Sequence, residues 1–130
     1  MIIVGIGAQS AATADDIVEA VRECCGRAGI ALSEAGVLAG LDRAETRAAL
    51  EAAAKQLGVT AEVWTAEQLR EMAPRCVTSS ERSLAATGVP SIAEAAALAA
   101  SGPDGMLLLP RFALARVTAA LAIGPGGTTP

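Results

Sequence analysis

Met1-Ile2-Ile3-Val4-Gly5-Ile6-Gly7-Ala8-Gln9-Ser10-Ala11-Ala12-Thr13 opens the chain and joins an apolar run, a pair of glycines and a helix-cap signal. Ile2-Ile3-Val4 is a continuous apolar run that stops at Gly5. Such a run predicts a short strand buried on both faces, as in a parallel sheet. Thr13 stands three residues before Asp16, the spacing of a capping box. Ile17, Val21, Cys24 and Ala28 then share one helical face, and Gly29 is placed to end the helix. A strand that delivers a glycine loop to the start of a helix is the repeating unit of an open α/β sheet.

Two more such units follow. Val37–Leu41 is a second apolar run, Asp42 with Glu45 repeats the cap signature, and Leu50, Ala53 and Leu57 form a helical face closed by Gly58. Glu62-Val63-Trp64 predicts a third strand, and Thr65 with Gln68 a short helix through Leu69 and Met72 that Pro74 stops. The segment from Arg75 to Pro90 is irregular and rich in Ser and Thr, and Ser91 with Glu94 opens a helix from Ile92 to about Ala100. Met106–Leu109 is a fourth strand, and the chain is expected to turn at Pro110-Arg111. Val117, Ala119, Leu121 and Ile123 alternate with Arg116, Thr118, Ala120 and Ala122, a strand with one more exposed face, paired as an antiparallel hairpin. The expectation is α/β: a single three-layer domain over residues 1–123, with a mostly parallel sheet and an antiparallel C-terminal edge strand. Residues 124–130 carry little to bury and are expected to be a flexible tail.

Composition narrows the function classes. The chain has 130 residues, 52% of them hydrophobic and 18% charged, which suits a packed core rather than disorder. Only 2% are aromatic, so the core is built from Ala, Val, Leu and Ile. Ten basic against fourteen acidic residues give a net charge of −4. That balance, with one Trp, one Phe and no Tyr, argues against a nucleic-acid partner. There is no His, the usual general base and metal ligand. Cys24, Cys25 and Cys76 form no C-x-x-C, and Cys24 falls at a core position. No metal and no cofactor are expected. No apolar run reaches the roughly 18 residues of a membrane span, and the start lacks a basic signal-peptide region. No membrane partner is expected, and the cytoplasm is the expected location.

Two polar regions are candidate sites. In an open α/β sheet, ligands bind beyond the carboxyl ends of the strands, where the loop Gly5–Ser10 lies. A dinucleotide fingerprint would need a third glycine at the position of Ser10, and Asp42 is better explained as a helix cap. Gly5 and Gly7 therefore either serve the turn or floor a pocket whose N–H groups face an anion. The second region is Val77–Ala100, VTSSERSLAATGVPSIAEAAALAA, with Thr78, Ser79, Ser80, Ser83, Thr87 and Ser91 close together. Ser79 or Ser80 can cap a helix starting at Glu81, and Ser91 one starting at Ile92. The remaining hydroxyls, with Arg75 and Arg82 nearby, could instead hold carboxylates.

Val4-Gly5-Ile6-Gly7, the signature Thr87-Gly88-Val89-Pro90-Ser91-Ile92-Ala93-Glu94-Ala95-Ala96-Ala97-Leu98, then Leu108-Leu109-Pro110-Arg111 and Val117–Ala122 together resemble the CobE / CbiG C-terminal-domain family of cobalamin (vitamin B12) biosynthesis. The likeness runs from about Ile2 to Ile123. It implies a compact α/β domain acting on corrin-ring precursors, in its stand-alone form an accessory protein of the aerobic route. Where the family commonly has Cys and then basic residues after Gly-x-Gly, this chain has Ala8, Gln9 and Ser10; Arg111 stands where the family often has Lys.

The expected ligand is thus a corrin-ring precursor, a polycarboxylate tetrapyrrole. Its site would be formed by Gly5, Gly7, Gln9, Ser10 and Thr13 of the first loop, by Ser79, Ser80, Arg82, Thr87, Gly88 and Ser91 of the second region, and by Arg111. Arg82 and Arg111 would be the counter-charges. One alternative is an enzyme that opens the ring lactone of a precorrin with Glu81 or Glu94 as its acid or base. Another is a scaffold for the corrin-ring methyltransferases of the pathway.

Overall fold

The computed structural model describes residues 1–124. Strands β1 (Ile2–Ala8), β2 (Ala35–Leu41), β3 (Thr60–Trp64), β4 (Met106–Leu114) and β5 (Val117–Ile123) form one sheet in the order β3-β2-β1-β5-β4. β1 pairs parallel with β2 and β2 parallel with β3, whereas β5 runs antiparallel to both β1 and β4. Helices α1 (Ala14–Ala28) and α2 (Ala44–Leu57) cover one face. Helices α3 (Ala66–Arg70) and α5 (Ile92–Ser101) cover the other, and α4 (Glu81–Thr87) precedes α5. This is the expected three-layer α/β domain.

The opening run is buried on both sides because the sheet is covered on both sides. Val4 and Ile6 pack with Ile17, Val21, Leu38 and Leu121, while Ile3 packs against the other layer with Leu69, Val89, Ala96 and Ala122. The first helix begins and ends where its caps predict. The Thr13 hydroxyl accepts the Asp16 N–H at 3.1 Å, the Asp16 carboxylate accepts the Thr13 N–H at 3.0 Å, and Gly29 closes α1 in the left-handed region at φ 71°.

Gly5 has a different reason. A Cβ there would land on the Ala93 carbonyl oxygen and 2.8 Å from the Ala97 nitrogen. The alanine-rich α5 lies directly on β1, and only glycine permits that approach. Cys24 and Cys25 are buried on α1, and all three thiols are free. Burial, and secondarily the neighbouring Cys25, pushes the Cys24 thiol up to about 12, in keeping with a core role. Among the described residues, no single helix is long and apolar enough to cross a membrane.

Four details differ from expectation. First, Pro110-Arg111 is no turn: β4 continues to Leu114, and the hairpin turns at Ala115, with φ 54°, and Arg116. β4 is an edge strand, where a missing N–H costs no ladder bond. Second, β5 is buried on both faces, because it is inserted between β1 and β4. Third, α2 is not capped by Asp42. Arg43 is its N-cap and lends no side-chain bond, while the Asp42 carboxylate pairs with Arg47. Fourth, Gly124 is buried and its N–H donates to the Met1 carbonyl at 2.9 Å, so it belongs to the body; the rest of the expected tail, 125–130, lies outside the described residues.

Candidate functional site

Beyond the carboxyl ends of β1 and β2 the chain leaves a cavity of about 700 Å³, within the range of about 300–1,000 Å³ usual for small-molecule sites. Its floor is apolar, with Ile6, Ile17, Leu41, Leu50, Ile92 and Val117. Three parts of the chain wall it: the loop after β1, the start of α2, and α4 with the start of α5. The β4–β5 hairpin completes it, since the amino end of antiparallel β5 meets the carboxyl end of β1.

Four arginines line this cavity, Arg43, Arg82, Arg111 and Arg116, and no Asp or Glu does. They differ in their attachments. The Arg43 Nη2 donates to the Ser10 hydroxyl at 2.9 Å and its Nε lies 3.8 Å from Glu45, so a cation sits beside the loop. Arg116 is 3.8 Å from Asp16, and its carbonyl accepts the Gln9 N–H at 3.0 Å. Among the described residues, Arg82 and Arg111 have no carboxylate within ion-pair distance of their guanidinium groups. The Arg111 Nε donates to the Thr78 hydroxyl at 3.3 Å.

Of the residues expected at the site, Gly7, Gln9, Ser10, Ser80, Arg82, Thr87, Ser91 and Arg111 are brought together as cavity lining. Gly5, Thr13, Ser79 and Gly88 are not among the lining residues. Gly5 lies under α5, Thr13 caps α1, Ser79 is exposed, and Gly88 closes α4. Arg75 points elsewhere, donating to the Gly105 carbonyl.

The hydroxyls differ in what they have left to offer an anion. Ser80 caps α4 and Ser91 caps α5, as expected. The Ser83 hydroxyl donates to the Val89 carbonyl at 2.6 Å, and the Thr87 hydroxyl donates to the Ser83 carbonyl at 2.8 Å and accepts the Val89 N–H at 3.2 Å. The Ser10, Ser80 and Ser91 oxygens act as acceptors, so among the described residues their O–H protons, like the Arg82 guanidinium and the terminal nitrogens of Arg111, are uncommitted and can donate to an anion.

Sequence reasoning missed Arg43, Arg116, Thr46 and Thr118. Arg43 follows the end of β2, the same carboxyl-end position that singled out the first loop, and this signal could have found it. Arg116 required knowing that β5 lies beside β1.

Glu94 also differs from expectation. It lies in the first turn of α5 but makes no reciprocal cap. Fully buried, its carboxylate accepts the Val77 N–H at 2.8 Å, the Thr78 N–H at 3.0 Å, the Thr78 hydroxyl at 2.8 Å and the Arg111 N–H at 2.9 Å. Burial pushes its pKa up, and the hydrogen bonds from Arg111, Thr78 and Val77 outweigh this and hold it below the ordinary value. Neither Glu94 nor Glu81 lines the cavity. Among the described residues, no group of three or more His, Cys, Asp or Glu is placed to hold a metal ion.

Comparison with known proteins gives the setting. The family model for the cobalamin synthesis G C-terminus matches residues 2–122. Protein CobE from Sinorhizobium sp is 32% identical over 124 residues, spanning 95% of this chain and 80% of that protein. A crystal structure of CobE, a protein from the cobalamin (vitamin B12) biosynthetic pathway, superposes with a TM-score of 0.88 at 29% identity, covering 94% of this chain and 89% of that one. The crystal structure of the cobalamin biosynthesis protein chiG from Agrobacterium tumefaciens str. C58 gives a TM-score of 0.77 at 35% identity, covering 96% and 99%. With the family model spanning nearly the whole domain, the chain belongs to the cobalamin synthesis G C-terminus family and takes part in cobalamin biosynthesis.

Proposed function

We propose that the chain binds a corrin-ring precursor in the arginine-lined cavity and serves its pathway as a binding protein for that intermediate. The observation that carries this reading is the sorting of charge: in a chain of net charge −4, four of the ten basic residues line one cavity and none of the fourteen acidic residues does. A macrocycle with an apolar face and a rim of acetate and propionate groups matches an apolar floor ringed by guanidinium groups.

The lactone-opening alternative receives no comparable support. It needs a carboxylate at the ligand, and the cavity lining contains no Asp, Glu, His, Cys, Lys or Tyr. Glu94, its better candidate, is occupied by four internal hydrogen bonds.

The test is a visible-absorbance titration of the purified protein with corrin-pathway intermediates at two salt concentrations. A saturable spectral shift that weakens with salt is expected. No shift with any intermediate would overturn the reading and put the scaffold role, for corrin-ring methyltransferases, in front.

A further inference from the structure

Glu94 is the only fully buried charged side chain among the described residues, and neither it nor Thr78 lines the cavity. The two are nevertheless joined to a residue that does. The Glu94 carboxylate fixes the backbone N–H of Arg111 at 2.9 Å and takes the proton of the Thr78 hydroxyl at 2.8 Å as a hydrogen bond. That hydroxyl, its proton committed, offers a lone pair to the Arg111 Nε at 3.3 Å. Two further bonds to Glu94, from the Val77 and Thr78 N–H groups, hold the hydroxyl's own backbone in place. The Arg111 guanidinium is thus fixed at its Nε, and among the described residues its two terminal nitrogens have no protein partner.

The geometry points to Glu94 and Thr78 as positioning residues that aim the Arg111 guanidinium at a ligand carboxylate, an inference that rests on the anion-binding reading of the cavity. A free arginine side chain loses much rotamer freedom when a ligand orders it. Holding it at Nε beforehand removes part of that loss and leaves the terminal pair of N–H groups available for a bidentate bond. Arg82, on the exposed surface of α4, has no such support, so the two counter-charges are unequal and Arg111 is the oriented one. Glu94 acts here as an ionised acceptor and transfers no proton.

The test is a double-mutant cycle on the full chain, read by titration with a corrin polycarboxylate made by hydrolysing the side-chain amides of cobalamin. Thr78→Val is expected to weaken binding about threefold to tenfold with Arg111 present and to have no further effect in Arg111→Ala. Thr78→Ser, which keeps the hydroxyl, restores wild-type affinity. A ligand-free measurement accompanies it: the Arg111 Nε–H, followed by nitrogen-15 relaxation, is ordered in the wild type and mobile in Thr78→Val. Wild-type affinity in Thr78→Val, or an equal loss in both Arg111 backgrounds, overturns the positioning role while leaving the cavity reading in place. A mobile Nε–H in the wild type also overturns it. Failure of the wild type to bind overturns the cavity reading, and the positioning role with it.

Discussion

Gly5 shows how a single residue can answer to a contact that its local sequence does not record. It stands at the end of an apolar run, a position where glycine commonly serves a turn or the close approach of a ligand. The structure places it inside β1 with α5 resting on it, a contact between residues more than eighty positions apart that no local pattern records. Gly5→Ala would push a methyl group into the backbone of α5 at Ala93 and Ala97. Backbone cannot yield as a side-chain tip can, so the substitution is expected to cost about 1–3 kcal/mol as an overpacked core site, measured by urea denaturation. Wild-type stability would mean that α5 sits too far from β1 for the methyl group to clash. Ser91 and Thr87 carry the same lesson in reverse. Both line the cavity, but the Thr87 hydroxyl donates to the Ser83 carbonyl, whereas the Ser91 oxygen accepts the Glu94 N–H and keeps its proton for a ligand. Residue type shows that both could bind a ligand, and only their partners show that Thr87 is committed as a donor and Ser91 is not.

Among the elements, those with local causes were legible. α1 was readable from Thr13, Asp16 and Gly29, and α3 from Thr65 and Gln68, because a cap and its partner lie three residues apart in the chain. The extent of β4 past Pro110 is not legible, because the sequence does not say whether a strand is central or at an edge, and proline within a strand is tolerated at an edge or a bulge. Glu94 is a first-turn acid of its own helix, as its spacing from Ser91 implies, but its carboxylate finds its partners on β4 and the segment before α4. It therefore joins α5 to β4, and that junction has a pH signature. Its folded pKa lies below the ordinary 4.5. A depressed carboxyl pKa contributes stability that is present above the unfolded value and lost as pH falls through the folded one. Glu94→Gln leaves at least one buried N–H or hydroxyl without an acceptor, at a cost of about 1–3 kcal/mol near neutral pH. In denaturation curves taken from neutral to acid pH, the advantage of the wild type over Glu94→Gln should be constant above 4.5 and shrink below it. A difference independent of pH would mean that Glu94 is not held as a carboxylate.

Charge is where the whole molecule says more than its parts. The total of −4 suggests a protein that repels anions, and a linear reading finds arginines scattered among acids. Folding sorts them in part: acids such as Glu19, Glu23 and Glu51 stay on outer helix surfaces, while Arg43, Arg82 and the hairpin pair Arg111 and Arg116 converge from three segments, with Glu45 and Asp16 3.8 Å from Arg43 and Arg116. Arg82 is legible from its polar stretch, Arg111 from the family likeness and Arg43 from its place after β2, whereas Arg116 depends on strand order. Arg43 and Arg116 already have protein partners, so the response of ligand binding to salt should be governed by Arg82 and Arg111. Each exposed guanidinium–carboxylate contact is worth up to about 1 kcal/mol, and the double variant Arg82→Ala/Arg111→Ala should bind a tetrapyrrole polycarboxylate about tenfold or more weakly. Its affinity should also fall less steeply than that of the wild type as salt rises, because fewer charge contacts remain to be screened. Loss of affinity with an unchanged salt slope would make the two arginines packing groups rather than counter-charges. Unchanged affinity would move the ligand away from the α4 and β4 walls of the cavity, leaving only the first loop with Arg43 and Arg116 to hold it.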